Sequence, residues 1–506
     1  MPALHIENFG CRAARADGEA IGARLCALGA DRRLAADVVV VNTCSVTAEA
    51  DRAARAFIRR AHRQNPSARI VVTGCYAQRA PQELAAMPGV AAVVGNSHKA
   101  LAPEIIVSLV SGHDFPGSPA TGLRRWGGLS RAERASESIG VLAPEQSFGP
   151  KSSSFVDAAS LLNSIGLPSA SAPAPIWADG HFAHSFLEEA PLAPGAQTRP
   201  YLKVQEGCSN RCSFCVIPFT RGPSRSLPFA TVLKQVLDFV AAGGKELVLS
   251  GINLGRWGRD LPHEANAPTS LAALVRAILQ QTNLPRLRLS SIEPMDWDVD
   301  LIALMREFGG RRLARHAHLP LQSASDAVLR RMHRRYRPWH YAEKVAALVR
   351  AAGPDLTLGA DVMVGFPGET DREFEETLGF LRALPFGYLH LFPFSPRPAT
   401  PGWALHTASP VPIAAVAERM AALRGLAAEK TRAHRSRFVG RELPAITLHT
   451  PPALAAEGRT AALTDNFLPL EIEGRFSANR LFTARVIQLT HEASLCSIVV
   501  GETTVQ

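Results

Sequence analysis

Apolar residues follow two rhythms along the first hundred positions, short unbroken runs alternating with longer stretches in which they recur every three or four residues. Leu4 to Phe9, Ala36 to Asn42, Ala68 to Thr73 and Val90 to Val94 read as strands, and the second carries four consecutive valines, Val38 to Val41. An unbroken β-branched run marks a strand covered on both faces, as in a parallel sheet. Between the strands, an Ala/Arg-rich stretch reaching about Leu28 has helical character, as does a segment that Thr47 can cap and that runs to about Gln64. Strands that alternate with helices are joined by right-handed crossovers, so all their carboxyl ends face one edge. The pattern predicts a doubly wound parallel sheet over residues 1–110.

That rhythm fails between about Ser111 and Pro194. Ser152-Ser-Ser154 and Pro168-Ser-Ala-Ser-Ala-Pro-Ala-Pro175 break any period and leave at most a short helical piece at Ser154 to Ile165, so 111–195 is expected to be a linker or surface insertion. Alternation resumes at Pro200. Strands are predicted at Tyr201 to Gln205, Glu246 to Ser250, Arg286 to Ser290, His316 to Leu321, Thr357 to Val364 and Gly387 to Phe392. Helices are predicted at Phe229 to Ala242, Ser270 to Gln281, Trp339 to Ala351 and Asp371 to Leu384. Six βα units within 196–435 are too few for a closed eight-stranded barrel and predict an open, partial one. After a helix from about Val411 to Arg435 come short strands at Leu443 to His449, Arg459 to Leu463, Leu468 to Ile472, Leu481 to Leu489 and Leu495 to Val500. They predict a small β-barrel of the oligonucleotide-binding kind over 436–506. The expected fold class is α/β, with this all-β part at the end.

A chain of 506 residues exceeds one core, which agrees with several parts. No apolar run approaches the 18 residues of a membrane span and no signal peptide is visible, so no membrane and a cytoplasmic location are expected. The net charge of +10 suits a polyanionic partner. Arg311-Arg312, Arg330-Arg331, Arg334-Arg335-Tyr336-Arg337 and Arg432 to Arg437 set arginine beside aromatic residues, a pairing that suits a phosphate backbone and an unstacked base.

Eight cysteines in a chain of this size are not a disulfide scaffold. Cys208, Cys212 and Cys215 fall within eight residues, in the loop after the first barrel strand. Cys11, Cys44 and Cys75 each lie just past a strand of the first sheet, so topology brings them to the crevice where such sheets bind ligands. Cys26 and Cys496 are read as small buried hydrophobes. Each set of three is one ligand short of a closed tetrahedral zinc site, and better suits an iron-sulfur cube whose fourth iron takes a non-protein ligand. A zinc knuckle completed by a distant ligand is the competing use of the same spacing. The loops after the later barrel strands, among them Gly251-Ile-Asn253, Ser290-Ser-Ile-Glu-Pro294, Pro320-Leu-Gln-Ser323 and Gly365-Phe-Pro-Gly-Glu369, form a polar, Gly-rich mouth. Glu246, Glu293, Gln322, Ser323 and Gly365 are the expected cofactor contacts there.

The C-x3-C-x2-C loop resembles the mark of the radical S-adenosylmethionine (SAM) enzymes. With Tyr201-Leu-Lys-Val-Gln-Glu-Gly-Cys208, Cys215-Val-Ile-Pro218 and Arg221-Gly-Pro-Ser-Arg225 around it, it resembles their methylthiotransferase branch. Asn42-Thr-Cys44-Ser-Val-Thr47, the following Ala50-Asp51, and Thr73-Gly-Cys75-Tyr-Ala-Gln78 are similar to the subgroup that modifies N6-threonylcarbamoyladenosine in tRNA. Gly458-Arg-Thr460 with Asp465-Asn-Phe467 resembles the small RNA-binding TRAM barrel that ends the family's members, whereas the 111–195 connection is longer than usual there.

The resemblance implies a radical SAM partial barrel and two 4Fe-4S clusters. One, on Cys208, Cys212 and Cys215, binds SAM and cleaves it to a radical; the other, on Cys11, Cys44 and Cys75, holds the sulfur that is methylated and delivered. The implied acceptor is carbon 2 of the modified adenine in a tRNA anticodon stem-loop, and the implied partners are a reducing electron donor and a sulfur source. A radical route answers a physical difficulty, since an unactivated aromatic C–H offers no acidic proton to a base. The same chemistry on N6-isopentenyladenosine or on an aspartate of a ribosomal protein, and a non-catalytic metal-binding RNA module, are the alternatives.

Overall fold

The computed structural model describes residues 3–29, 31–32, 37–111, 173–182, 198–262, 267–490 and 494–502. The first part is a parallel sheet of β1 (Ala3–Asn8), β2 (Asp31–Arg32), β3 (Val38–Thr43), β4 (Arg69–Gly74), β5 (Val90–Gly95) and β6 (Ile176–Trp177) in the order β2-β1-β3-β4-β5-β6. The four valines of β3 explain themselves. Val38 and Val40 enter the core under helices Arg12–Ala27 and Ala48–Gln64's opposite neighbour Ala102–Ser111, while Val39 and Val41 enter the core on the other face with Ala54 and Ile58. Thr47 caps Ala48–Gln64 through a hydroxyl that accepts the Ala50 N–H at 3.2 Å.

β6 corrects the expectation that nothing within 111–195 joins a core. Pro175 accepts the Val93 N–H at 2.9 Å, and Trp177 is buried against the sheet. A strand of two residues carries no periodicity, so the pattern could not reveal it. The Ser152-Ser-Ser154 tract and the helical piece at Ser154 to Ile165 lie outside the described residues.

The central part holds β7 (Tyr201–Glu206), β8 (Arg225–Ser226), β9 (Glu246–Gly251), β10 (Arg286–Leu289), β11 (His316–His318), β12 (Thr357–Val364) and β13 (Phe386–Pro393). They form a sheet β10-β9-β7-β8 and a sheet β11-β12-β13, joined where Leu287 bridges Leu313. One apolar core runs behind both. The partial barrel is therefore as expected, with β8 an added antiparallel edge strand. Helices Val299–Phe308, Asp326–Arg331 and Pro401–Ala408 go beyond the periodic pattern; they are short, and the first is started by Asp298, whose carboxylate accepts the Leu301 N–H at 2.8 Å.

Helix Ile413–Ser436 lies across β13 and β12. His434 is buried there, sharing a 2.8 Å hydrogen bond with Thr357, and burial, then Arg437 and Arg435, push its pKa down from 6.5 to about 4. The folded protein binds that proton more weakly than the unfolded chain does. Its contribution to stability is thus complete above about pH 6.5 and lost as pH falls toward about 4, up to about 3 kcal/mol. Denaturant melts of wild type and His434→Gln between these pH values should show a shallower slope in the variant; equal slopes would remove His434 from the account.

The last part is a closed barrel of β14 (Glu442–Thr447), β15 (Arg459–Thr464), β16 (Pro469–Glu473), β17 (Leu481–Leu489) and β18 (Leu495–Glu502), in the order β14-β15-β16-β18-β17. Its Asp465-Asn466-Phe467 loop docks on the central barrel. Arg315 forks onto the Asp465 carboxylate at 2.7 and 3.0 Å, Asn466 donates to the Asp355 carbonyl at 3.0 Å, and the Phe467 ring lies 4.3 Å from His316. This loop is joinery between domains. Among the described residues no helix is long and apolar enough to cross a membrane.

Candidate active site

Register decides where the first three cysteines go. Asn8 pairs with Asn42 and Asn42 with Thr73, so the chain leaves β1, β3 and β4 at one level, and Cys11, Cys44 and Cys75 follow within three residues. Asn42 and Thr43 stitch the three loops. The Asn42 amide donates to Asn8 at 3.0 Å and to the Ala14 carbonyl, while the Thr43 hydroxyl accepts from Tyr76 and Ala77 N–H groups at 3.2 and 3.3 Å at the start of helix Cys75–Arg79. Gly10, at φ +100°, could carry no side chain: a Cβ would sit 2.2 Å from that of Cys44. Cys44 and Cys75 are buried, and Cys11 is exposed at the rim.

Cys208, Cys212 and Cys215 occupy the turn beyond β7. The Cys208 N–H donates to Gly222 at 3.0 Å and the Cys215 N–H to Cys212 at 3.1 Å, and Ser213 anchors the loop on Met332 and Arg331. Donors point at the sulfurs. Cys208 Sγ accepts from the Asn210 N–H at 3.4 Å and the Asn253 amide at 3.5 Å, and Cys212 Sγ from Arg334 at 3.4 Å.

Cys44 and Cys215 resist ionisation unless a cation joins them. Burial, then Cys212, pushes Cys215 up to about 12; burial, then Cys11 and Cys75, pushes Cys44 up to about 12. Thiols that penalise one another as anions are relieved when metal replaces their protons. Among the described residues only His318, Asp361 and His390 bring three ligand atoms within 4.8 Å of one another. In neither thiol set do all three sulfurs lie within 4.8 Å of one another, a spacing compatible with a multi-iron cluster.

The two sites touch. Arg221, six residues after Cys215 and fully buried, donates to Cys75 Sγ at 3.2 Å, and Asn96 reaches both Cys75 Sγ at 3.4 Å and the Thr220 carbonyl at 2.8 Å. Arg221 also pairs with Asp17 at 3.0 Å and Glu206 at 2.7 Å, and Lys99 and Lys203 close the group. Burial pushes Asp17 and Glu206 up, but the three cations outweigh it and hold both carboxyls below their usual range. Three cations against two carboxylates leave one positive charge, and it faces Cys75.

At the mouth, Asn253 Oδ1, Ser290 Oγ and Gln322 Oε1 are each buried without a hydrogen-bond partner, on the loops after β9, β10 and β11. Gln322 also adopts φ +63°, a conformation an ordinary side chain avoids. Buried, unanswered polar atoms on the loops at one end of the barrel are what a polar ligand such as SAM would satisfy.

Gln322 stands on the loop after β11 with that unanswered oxygen, and Glu293 lines a pocket beside Cys212 with Asn210, Arg256 and Met295. Burial pushes Glu293 up against the pull of Arg334, its partner. Three expected contacts do not reach the mouth. Glu246 begins β9, at the opposite end from Gly251, where Arg288 and Arg286 neutralise it at 2.8 and 3.2 Å. The Ser323 hydroxyl is taken by Thr377 at 3.1 Å. Gly365 donates its N–H to Glu369 at 2.8 Å, and its missing side chain makes room for Val416 rather than for a ligand.

Other expectations change too. Arg334 and Tyr336 are buried, Tyr336 donating to the Pro320 and Leu321 carbonyls, so that pair supports the cluster loop instead of stacking on a base. Arg312 binds the carbonyls of Leu279, Thr282 and Leu284, and Arg331 binds Glu373. Cys26 is exposed, not a buried hydrophobe. Asp17 and Lys99 gave no sequence signal, being single charges in otherwise ordinary segments.

Removing Arg334 would take a charged donor from Cys212 and leave Glu293 without its cation, two changes that disfavour adding an electron nearby. In Arg334→Met the potential of a cluster on this loop should fall by about 60 mV or more, the shift that about 1.4 kcal/mol gives a one-electron couple. Redox titration followed by EPR measures it, and an unchanged potential would exclude the role.

Comparison with known proteins agrees with this geometry. Residues 202–381 match the radical SAM superfamily, and residues 3–95 match a family described as uncharacterized protein family UPF0004. The threonylcarbamoyladenosine tRNA methylthiotransferase MtaB of Bacillus subtilis is 32% identical over 94% of this chain and 91% of its own length. The protein of the same name from Rickettsia prowazekii is 30% identical over 98% and 97%. The tRNA-2-methylthio-N(6)-dimethylallyladenosine synthase of Novosphingobium aromaticivorans is 31% identical over 82% and 80%.

Proposed function

The chain belongs to the radical SAM tRNA methylthiotransferase family, and from that premise we propose that its acceptor is N6-threonylcarbamoyladenosine beside the anticodon, converted to the 2-methylthio nucleoside. The observation that carries the acceptor is the breadth of likeness to relatives named for that nucleoside, over 94% and 98% of the chain. In this reading Cys208, Cys212 and Cys215 hold the 4Fe-4S cluster that binds SAM, and Cys11, Cys44 and Cys75 hold a second. When bound, these groups supply an electron, a radical able to take hydrogen from an aromatic C–H, and a methylated sulfur.

The chain's own residues do the rest. Asn253, Ser290 and Gln322 orient SAM through the polar atoms they keep buried. Arg334 and Asn253 donate to sulfur on one loop, and Arg221 and Asn96 on the other. The Asp17, Lys99, Lys203, Glu206 and Arg221 group locks helix Arg12–Ala27 to β7 and so sets the distance between the two sites. Arg211 and Arg335, exposed at the rim of the Cys212 pocket, are suited to RNA phosphates. An anticodon loop presents its base unstacked at little cost.

Nucleoside mass spectrometry of total tRNA from cells with and without the gene tests the acceptor. Loss of methylthio-threonylcarbamoyladenosine, with the unthiolated nucleoside accumulating, is expected. Loss of the methylthio-isopentenyl nucleoside in its place would move the acceptor and keep the chemistry. Anaerobic reconstitution should give about eight irons per chain; about four would remove the second cluster.

A further inference from the structure

Among the described residues, each of the seven buried carboxylates, Asp17, Asp51, Glu206, Glu246, Asp296, Glu369 and Asp465, meets an arginine or a lysine. Asp361 departs from that rule. Its side chain is only 26% exposed, yet its partners are two imidazoles, His318 Nε2 at 3.1 Å and His390 Nδ1 at 3.2 Å. The three residues stand on the adjacent strands β11, β12 and β13, with Asp361 and His390 in direct register. Leu358, Ala360 and Val362 of β12 turn the other way, into the apolar core, so the three point to the barrel's inner face.

Two imidazoles and one carboxylate with ligand atoms within 4.8 Å of one another form a facial set for a divalent ion. The surroundings supply what such a set needs. His318 Nδ1 is bonded to the Tyr388 hydroxyl at 2.9 Å, which in turn meets His316 Nε2 at 2.8 Å, and this holds the ring with Nε2 toward Asp361. The side opposite is open, since the His390 side chain is 53% exposed. The backbone ties the set to the mouth, where the Gln322 N–H donates to the Asp361 carbonyl at 2.8 Å.

We propose that His318, Asp361 and His390 bind a divalent transition-metal cation, whose open positions take the carboxylate and hydroxyl of the threonylcarbamoyl group on the target adenine. The second half rests on the acceptor proposed above. A carboxylate and a neighbouring hydroxyl are a two-oxygen donor for such an ion, whereas an isopentenyl group has no donor atom. The ion would thus favour one modified adenine over the other by an interaction the second cannot make.

Manganese(II) is the probe. Holoenzyme with both clusters in their diamagnetic oxidised state is titrated with Mn2+, and the free ion's six-line EPR signal is followed. One Mn2+ per wild-type chain is expected, with affinity at least about tenfold weaker in Asp361→Asn and His390→Gln; melting temperatures show that the variants fold. Adding a threonylcarbamoylated anticodon stem-loop should tighten Mn2+ at least about tenfold, and an isopentenylated one should not, because the coupling is reciprocal. No stoichiometric binding, or equal binding in the variants, overturns the metal site and leaves the acceptor to the nucleoside analysis. Binding that both stem-loops affect equally overturns the substrate half alone. If the nucleoside analysis finds the isopentenyl product, the acceptor fails while the Mn2+ titration still decides the site.

Discussion

Cys44→Ala is expected to cleave SAM on reduction at the wild-type rate and to form methylthio product at roughly one-thousandth of it, a loss of about 4 kcal/mol or more confined to sulfur delivery. The separation follows from the fold. Cys44 ends β3 in the first sheet, whereas the Cys208 loop is held by β7, Gly222, Met332 and Asn253 of the central part. Losing one buried thiol from the first sheet leaves all of those contacts intact. The assay pairs 5′-deoxyadenosine with methylthio nucleoside in one reaction, and Cys26→Ala, which alters an exposed thiol outside both sets, serves as the control. Product at the wild-type rate from Cys44→Ala would end the second-cluster assignment. Loss of both products would mean that the two sites do not work separately.

Arg221→Met should be the most destabilising single change at the junction of the two domains, by about 3–5 kcal/mol, because it strips both buried carboxylates of a direct charged donor. Asp17 and Glu206 would keep Lys99 and Lys203, giving charges that balance on paper, but Arg221 is also the donor to Cys75 and contacts both carboxylates itself. Adding Glu206→Gln to Arg221→Met should not restore the stability, since Asp17 alone then faces Lys99 and Lys203 and one buried cation is left over. Denaturant melts of the single and double variants provide the measurement, and iron content reports on the Cys75 site. A single variant within about 1 kcal/mol of wild type would show that the network does not hold the domains together.

Much of this was legible in order along the chain. The valines of β3, the Thr47 cap, six central strands and five short final strands are local patterns, and local patterns survive into the structure because each is satisfied by neighbours a few residues away. The two sets of three cysteines were legible for a related reason: one is contiguous, and the other recurs at the same phase of a repeating unit.

What escaped were side chains whose role depends on a partner far along the chain. Lys99 meets Asp17 across 82 positions and Arg221 meets Asp17 across 204, and nothing near any of them announces it. Glu246 and Gln322 looked alike as polar residues near strands. Only the direction of β9 sends Glu246 to the closed end among arginines, while the turn after β11 leaves Gln322 in the mouth with an unanswered oxygen. Arg334 and Tyr336 read as a surface pair until burial showed them beneath the cluster loop.

The sequence by itself determined the order of the longer strands and helices and the two thiol sets, because periodicity and ligand spacing are properties of the covalent chain, and its resemblance to a known family gave the class of chemistry. Tertiary structure alone decided which polar groups face the ligand, which are used up in pairing, and that Arg221 joins the two sites. Burial and electrostatic pairing belong to the packed molecule, and a side chain's neighbours in space are set by topology rather than by its neighbours in sequence.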